Sequence, residues 1–299
     1  MRSFNSIVAD GNLLANDSSG STTALLKVLV NQGIKKFLNL EDWTFNKDSV
    51  NYSTGTGVQY LNAPINANEI DFVHSWYGNR WYAPTEVKDA TSWQILNQTK
   101  VSSSLITHYF VDERTKEIGL FPVPVDSKGT VKVGFTKKII DYSASDYSTG
   151  SVSISANGTI FSGKGTSWGS MMAGRYIQVT GTNTPVDDFW FEIQSVGSTG
   201  SLYTKEYAPN AITGGTTYAI TQLMPFPEGF EQLPLWYSLD KYYQMKEKPN
   251  LAREYERMWK EDLESLYRRD QRSVTGLVKQ ETPYTQVDVN QNPWTLFID

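Results

Sequence analysis

Gly150-Ser151-Val152-Ser153-Ile154-Ser155-Ala156-Asn157-Gly158-Thr159-Ile160-Phe161-Ser162-Gly163-Lys164 is the stretch on which the fold turns. Val152/Ile154 and Ile160/Phe161 are short apolar clusters, separated by the residue types that make turns. The texture continues through Tyr176/Ile177/Val179, Phe189/Phe191/Ile193/Val196 and Tyr218/Ile220. Gly, Ser, Thr and Asn fill the gaps, and no helical period interrupts. About 70 residues of this kind predict a separable β-domain over 150–220, a small barrel or sandwich. Its charge is near balance, with Lys164, Arg175 and Lys205 against Asp187, Asp188, Glu192 and Glu206.

On either side the periodicity is different. Upstream, Leu25, Leu26, Leu29, Val30, Ile34 and Phe37 recur at helical spacing and predict a helix over 21–38, capped by Ser21. Lys35 and Lys36 suit its negative end. Ile7, Val8, Leu13 and Leu14 suggest a short helical turn, interrupted by Gly11 and the polar run 16–20. From Trp43 to Ile140, short apolar clusters alternate with turn residues, which predicts mostly antiparallel β-structure. Tyr77-Gly78-Asn79-Arg80 and Ser127-Lys128-Gly129 read as hairpin turns, and one short helix fits 89–96. Downstream, helix returns at Pro227, with Pro234 either kinking it or marking its true start. It runs to Lys248, Pro249-Asn250 breaks it, and Asn250 caps a second helix from Leu251 to about Arg272.

That second helix has an apolar stripe of Leu251, Tyr255, Met258, Trp259, Leu263 and Leu266. Arg253, Arg257, Glu261, Arg268 and Arg269 mostly lie outside the stripe, on a face suited to solvent or to a neighbouring subunit. Residues 274–299 lose the period. Pro283 and Pro293 disfavour helix, Tyr284 stands between them, and the segment ends on Trp294, Leu296, Phe297 and Ile298. A polar stretch with so apolar an end predicts an extended arm that orders on a partner.

Composition removes several classes of function. The chain has 299 residues, no Cys and two His. A globule of this size folds without a disulfide or metal. Lack of Cys excludes thiolate zinc sites and a Cys nucleophile, and two His leave little for a histidine metal site. A net charge of −5 argues against an electrostatic grip on nucleic acid. The longest apolar run, 24–30, is short and contains Lys27, so no membrane span is expected. Arg2 is followed by no stretch of signal-peptide length, which fits a protein made and kept in a cytoplasm.

The candidate chemical motifs reduce to structure. Gly158 to Lys164 nearly matches a phosphate-binding loop, but Gly165 replaces the Ser or Thr that holds magnesium, and Ile160-Phe161 reads as strand. His74 and His108 sit among aromatic and apolar residues with no nucleophile motif, and read as strand histidines. Asp187-Asp188, before Phe189-Trp190-Phe191, could suggest a glycosidase, but neighbours on a strand point to opposite faces. Asp112-Glu113 begin a charged turn. Trp76, Tyr77, Trp81 and Tyr82 gather around one turn, for core packing or for stacking on a sugar or a subunit. No catalytic, cofactor or metal residue is expected.

The order of the parts has a likeness. A helix leads into Trp43-Thr44-Phe45. His108-Tyr109-Phe110-Val111-Asp112-Glu113 leads to Glu117-Ile118-Gly119-Leu120-Phe121-Pro122-Val123-Pro124, then to a strand over 131–135. Pro227 opens a helical pair ending Tyr267-Arg268-Arg269-Asp270. This resembles the head-to-tail adaptor, or connector, proteins of tailed bacteriophages over 5–140 and 223–273. Residues 150–220 depart from that family and look like a small β-module of phage structural proteins. The fold expected is α+β: a helical bundle of the N-terminal helix and C-terminal pair, an antiparallel β region, an inserted β-domain and a C-terminal arm. Residues 1–148 and 223–273 would form the body.

The resemblance implies a virion protein of the neck, between capsid and tail, assembled in the host bacterial cytoplasm. It would form a ring, usually twelve-fold, and would extend the DNA channel. Its partners would be the portal protein, tail or nozzle proteins, and copies of itself, with phage DNA passing through unread. The alternatives are a carbohydrate-binding or hydrolytic tail protein, or another tail or baseplate ring component.

Overall fold

A computed structural model describes residues 1–64, 66–125, 129–180 and 189–279, without the side chains of 272–279. Contacts divide the chain into two compact units, Met1–Glu41 with Ile140–Tyr267, and Asp42–Ile139 with the residues from Arg268 on. The architecture is α+β, with five helices, several sheets and a closed barrel among the described residues.

The first unit begins with α1 (Phe4–Ala15) and α2 (Gly20–Leu38). Helix α1 is longer than the turn expected, because Gly11 is a contact position and not a break. A Cβ there would lie 3.1 Å from Leu235 and 3.2 Å from Leu26, so the glycine lets neighbouring side chains close on the helix. Ser19, not Ser21, caps α2 by accepting from the Thr22 amide. The expected stripe is buried at Leu26, Leu29, Val30, Ile34 and Phe37.

Between the helices, Asp17 accepts from Thr22 Oγ1 at 2.6 Å and from the Ser19 amide at 2.9 Å. The Thr22 hydroxyl, then the Ser19 amide, hold its carboxyl down at about 2. A lowered folded value means that the stabilisation is present above the unfolded value, near 3.9, and is lost as pH falls toward 2. Asp17→Asn is therefore expected to flatten the fall in stability between pH 4 and 2. An NMR titration placing the Asp17 carboxyl near 4 in the native protein would contradict this.

The β region forms the body of the second unit. Its elements are β1 (Lys47–Ser53), β2 (Tyr60–Asn62), β3 (Ala67–Tyr77), β4 (Arg80–Tyr82), β5 (Thr85–Glu86), α3 (Ala90–Gln98), β6 (Ser102–Ser103), β7 (His108–Asp112), β8 (Glu117–Phe121), β9 (Val123–Pro124) and β10 (Thr130–Lys137). One four-stranded sheet has the order β1-β10-β3-β4, another β2-β8-β7-β5. Most pairs are antiparallel, as expected. β5–β7 and β6–β9 are short parallel pairs. Val73, Val131 and Val133 from one sheet meet Leu61, Tyr109, Ile118 and Leu120 from the other in a single core. The β3–β4 hairpin turns at Gly78 (φ 54°) and Asn79 (φ 66°), the left-handed pair that a two-residue hairpin needs. The other expected hairpin tip, 127–128, lies outside the described residues.

The barrel comprises β11 (Ser151–Ile154), β12 (Ile160–Lys164), β13 (Tyr176–Thr180), β14 (Phe191–Ser198), β15 (Ser201–Thr204) and β16 (Ile212–Thr221). It closes in the order β11-β12-β15-β14-β13-β16. Period-two alternation fills its interior with Val152, Ile154, Phe161, Ile177, Val179, Phe191, Ile193, Leu202 and Ile220. Trp168 Nε1 donates to the Tyr218 hydroxyl at 3.0 Å, which donates to the Thr149 carbonyl at 2.6 Å. The chain enters and leaves at one end, where Tyr147 bridges Ile220 and Ser3 bridges Leu223.

Contacts group the two sheets with α3, and the barrel with α1 and α2, whereas the expected body of 1–148 with 223–273 took sheets and helices together. The sheets close on their own core, which explains why they separate.

The first unit ends with α4 (Leu233–Met245) and with α5 (Pro249–Lys279) as far as Tyr267. Pro234 lies in the first turn of α4, so the helix starts there and not at Pro227. Pro249 likewise opens α5 instead of breaking a helix, and Asn250 lies inside the first turn and not at the cap. The chain turns between the two helices at Glu247 (φ 54°). The helix continues to Lys279, so 274–279 are helical and not part of an extended arm. Nothing before Pro283 forbids helix, and Gly276 is tolerated at modest cost. No described helix is long and apolar enough to cross a membrane.

Candidate partner-docking surface

Two reciprocal contacts orient α5. Trp236 of α4 donates its indole N–H to Asp262 of α5 at 3.0 Å. Trp259 of α5 donates to Asp240 of α4 at 3.3 Å. Asp240 is fully buried, and Lys241 Nζ lies 3.1 Å from the same carboxylate oxygen. Burial pushes the Asp262 carboxyl up, and the Trp236 donation opposes that. Between these crossings Tyr255 stacks on Trp236 at 6.0 Å and on Tyr243 at 5.6 Å. Lys36 of α2 lies 4.6 Å from the rings of both Tyr237 and Trp259, and burial lowers its pKa. The stripe read from the sequence is thus the packed face, except that Leu251 is exposed and Ala252 is buried instead.

The opposite face presents charge. Arg253, Arg257 and Glu261 line a shallow hollow together with Glu256, Lys260 and Glu264. Arg257 pairs with Glu261 at 2.9 Å and Lys260 with Glu256 at 2.6 Å, both at four-residue spacing. The Lys260 ammonium holds the Glu256 carboxyl below its usual range. Exposed pairs of this kind contribute little to folding, so the pattern matters more as a surface of alternating sign. The structure brings together three of the five residues proposed for a ring interface. Arg268 and Arg269 are exposed further along the helix and do not line the hollow. Glu256, Lys260 and Glu264 were missed, although their four-residue spacing was present in the sequence. Nearby in the chain, Asp270 accepts from the Thr44 amide at 3.2 Å and from the Thr44 hydroxyl.

The arm residues Pro283, Tyr284, Pro293, Trp294, Leu296, Phe297 and Ile298 lie outside the described residues, as do Asp187 and Asp188. The near phosphate loop is strand β12, followed by a turn at Gly165 (φ 70°). His74 is a residue of β3 with its ring 4.6 Å from Phe72, and burial, then Lys132, lowers its pKa. His108 is a residue of β7 whose Nδ1 hydrogen-bonds the Thr107 hydroxyl at 2.9 Å. Asp112 accepts from the Arg114 amide at 2.9 Å, in the charged turn expected. Among the described residues, no three His, Asp or Glu side chains converge as metal ligands would. The chain matches no protein-family model and no curated protein.

Proposed function

We propose that this chain is a virion structural protein that assembles as a ring between portal and tail and extends the DNA channel. The observation that carries the reading is α5. One face is fixed to α4 by the two tryptophan–carboxylate contacts, and the other carries a row of alternating charge. A ring closes through heterologous contacts, in which one patch meets a different patch on the next copy. Charges of both signs on a rigid helix set the register of such a contact. The ring-interface residues are Arg253, Arg257 and Glu261, with Glu256, Lys260 and Glu264, and with Arg268 and Arg269 beyond the hollow. The net charge of −5 suits a channel that DNA crosses without being held. The reading assigns no catalytic residue and no cofactor. Portal and tail or nozzle proteins are the neighbours, and the arm from residue 280 on, through Trp294, Leu296, Phe297 and Ile298, is the tether.

One arm binds weakly, since ordering it costs roughly 1–2 kcal/mol per backbone residue. Many arms on a ring bind firmly through effective concentration. Deleting residues 291–299 is expected to leave the melting temperature unchanged and to abolish incorporation into particles. Normal incorporation of the truncated chain would refute the tether, and unfolding would place the segment in the core.

A further inference from the structure

The two sheets of the β region treat their outer faces differently. On β2-β8-β7-β5, Phe110 and Gly119 face outward as a cross-strand pair, and α3 closes over them. Trp93 of α3 stacks on Phe110 at 5.5 Å, in space that a side chain at 119 would fill, since a Cβ there would lie 2.4 Å from its ring.

On β1-β10-β3-β4 the outer face carries Phe72, His74 and Trp76 at two-residue spacing along β3, with Trp81 of β4 opposite Trp76. The Phe72 and His74 rings are 4.6 Å apart, and Trp76 meets Trp81 edge to face at 5.1 Å. Phe72 lies over Gly134, where a Cβ would be 2.1 Å from its ring. Trp81 is 43% exposed, and Phe72, His74 and Trp76 are partly exposed.

What surrounds the row indicates what it takes. The register sets Ser49, Asn51 and Ser53 of β1 and Thr130 of β10 on the same face. Lys132 stands between Asn51 and His74 and is the charged residue in this stretch. Lys47 and Asp71, at the far end, face each other at 4.0 Å. A nucleic-acid backbone needs a track of cations beside its stacking rings, and one lysine does not make a track. A neutral sugar needs what is present. The C–H face of a pyranose is weakly positive and lies against the negative face of an aromatic ring. Its hydroxyls need small hydroxyl and amide partners. Outward residues on a strand repeat about every 6.6 Å, so the three rings of β3 present roughly 13 Å of stacking surface, enough for more than one sugar unit.

We propose that the outer face of the sheet β1-β10-β3-β4 is a binding platform for a neutral oligosaccharide, which stacks on Phe72, Trp76 and Trp81 and hydrogen-bonds to Asn51 and His74. The platform is independent of the ring reading and stands or falls without it.

The test is titration calorimetry of the full-length protein with cellohexaose, maltoheptaose and chitohexaose, with tryptophan emission as a second readout. A twelve-residue oligodeoxythymidylate and sedimentation velocity complete the set. Saturable binding of at least one of the three sugars is expected, with a shift in emission and no binding of the oligonucleotide. Trp81→Ala is expected to weaken binding at least tenfold with an unchanged melt, since the residue is already 43% exposed. Trp76→Ala should do the same; if it also lowers the melt, Trp81→Ala decides. Failure of all three sugars to bind overturns the proposal, as does undiminished binding by Trp81→Ala. Oligonucleotide binding that disappears in Trp81→Ala would make the face a nucleic-acid platform instead. Loss of self-association in that variant, without sugar binding, would make it an interface between copies.

Discussion

Phe161→Ala is expected to destabilise the barrel by about 3–5 kcal/mol, while Ile160→Ala, one residue earlier on the same strand, costs under about 1 kcal/mol. Phe161 is fully buried and meets Phe191 edge to face at 5.5 Å, whereas Ile160 is 48% exposed. A strand points alternate residues to opposite faces, and a closed barrel has only one dry face. Removing the ring leaves a cavity that the closed β-structure cannot easily collapse. Urea unfolding followed by near-ultraviolet circular dichroism reads the difference. Equal losses at 160 and 161 would mean that β12 is misregistered and the barrel is not closed as described.

Asp240→Ala carries the second large effect, about 3 kcal/mol. The carboxylate is fully buried and accepts from Gln244 and from Trp259 Nε1, with Lys241 beside it. Its removal strips two side-chain donors of their acceptor and leaves the Lys241 ammonium without its counter-charge. Lys241 is about a third exposed, which keeps the figure at the low end of the range for breaking a buried pair. Asp240→Asn should lose less, because its carboxamide oxygen still accepts. Combining Asp240→Ala with Trp259→Phe should give less than the sum of the two, since both remove one contact. Additive losses in that double-mutant cycle would show that the Trp259–Asp240 contact does not hold α5 to α4.

The elements legible in the sequence were those that depend on local pattern. The stripe of α2, the Gly78-Asn79 hairpin, the short helix α3 and the closely spaced strands from Val152 to Ile220 follow from periodicity and turn chemistry. Where the reading failed, a tertiary contact or a helix boundary decided. Gly11 reads as a breaker until Leu235 and Leu26 are seen closing on it. Pro249 reads equally as the end of one helix or the first turn of the next. The helix past Arg272 depends on backbone continuity that a weak apolar period does not reveal. Closure of the barrel, as opposed to two packed sheets, is set by pairings between strands far apart in the chain, above all β11 with β16.

The candidate surface was half legible. Charge spacing on α5 marked Arg253, Arg257 and Glu261, but only the tryptophan–carboxylate contacts show which face is fixed and which is left outward. The aromatic cluster at Trp76 and Trp81 was better explained by core packing as sequence. Its outward position follows from register, because the alternate residues Val73 and Ser75 take the inner face.

The most direct measurement is a cryo-electron microscopy reconstruction, without imposed symmetry, of particles assembled with this protein. The ring reading predicts density for the six-stranded barrel and the α4–α5 pair repeated around a closed ring between capsid and tail, with the DNA path through its centre. Density for the chain on a tail tip or fibre, or as isolated copies that close no ring, would contradict it.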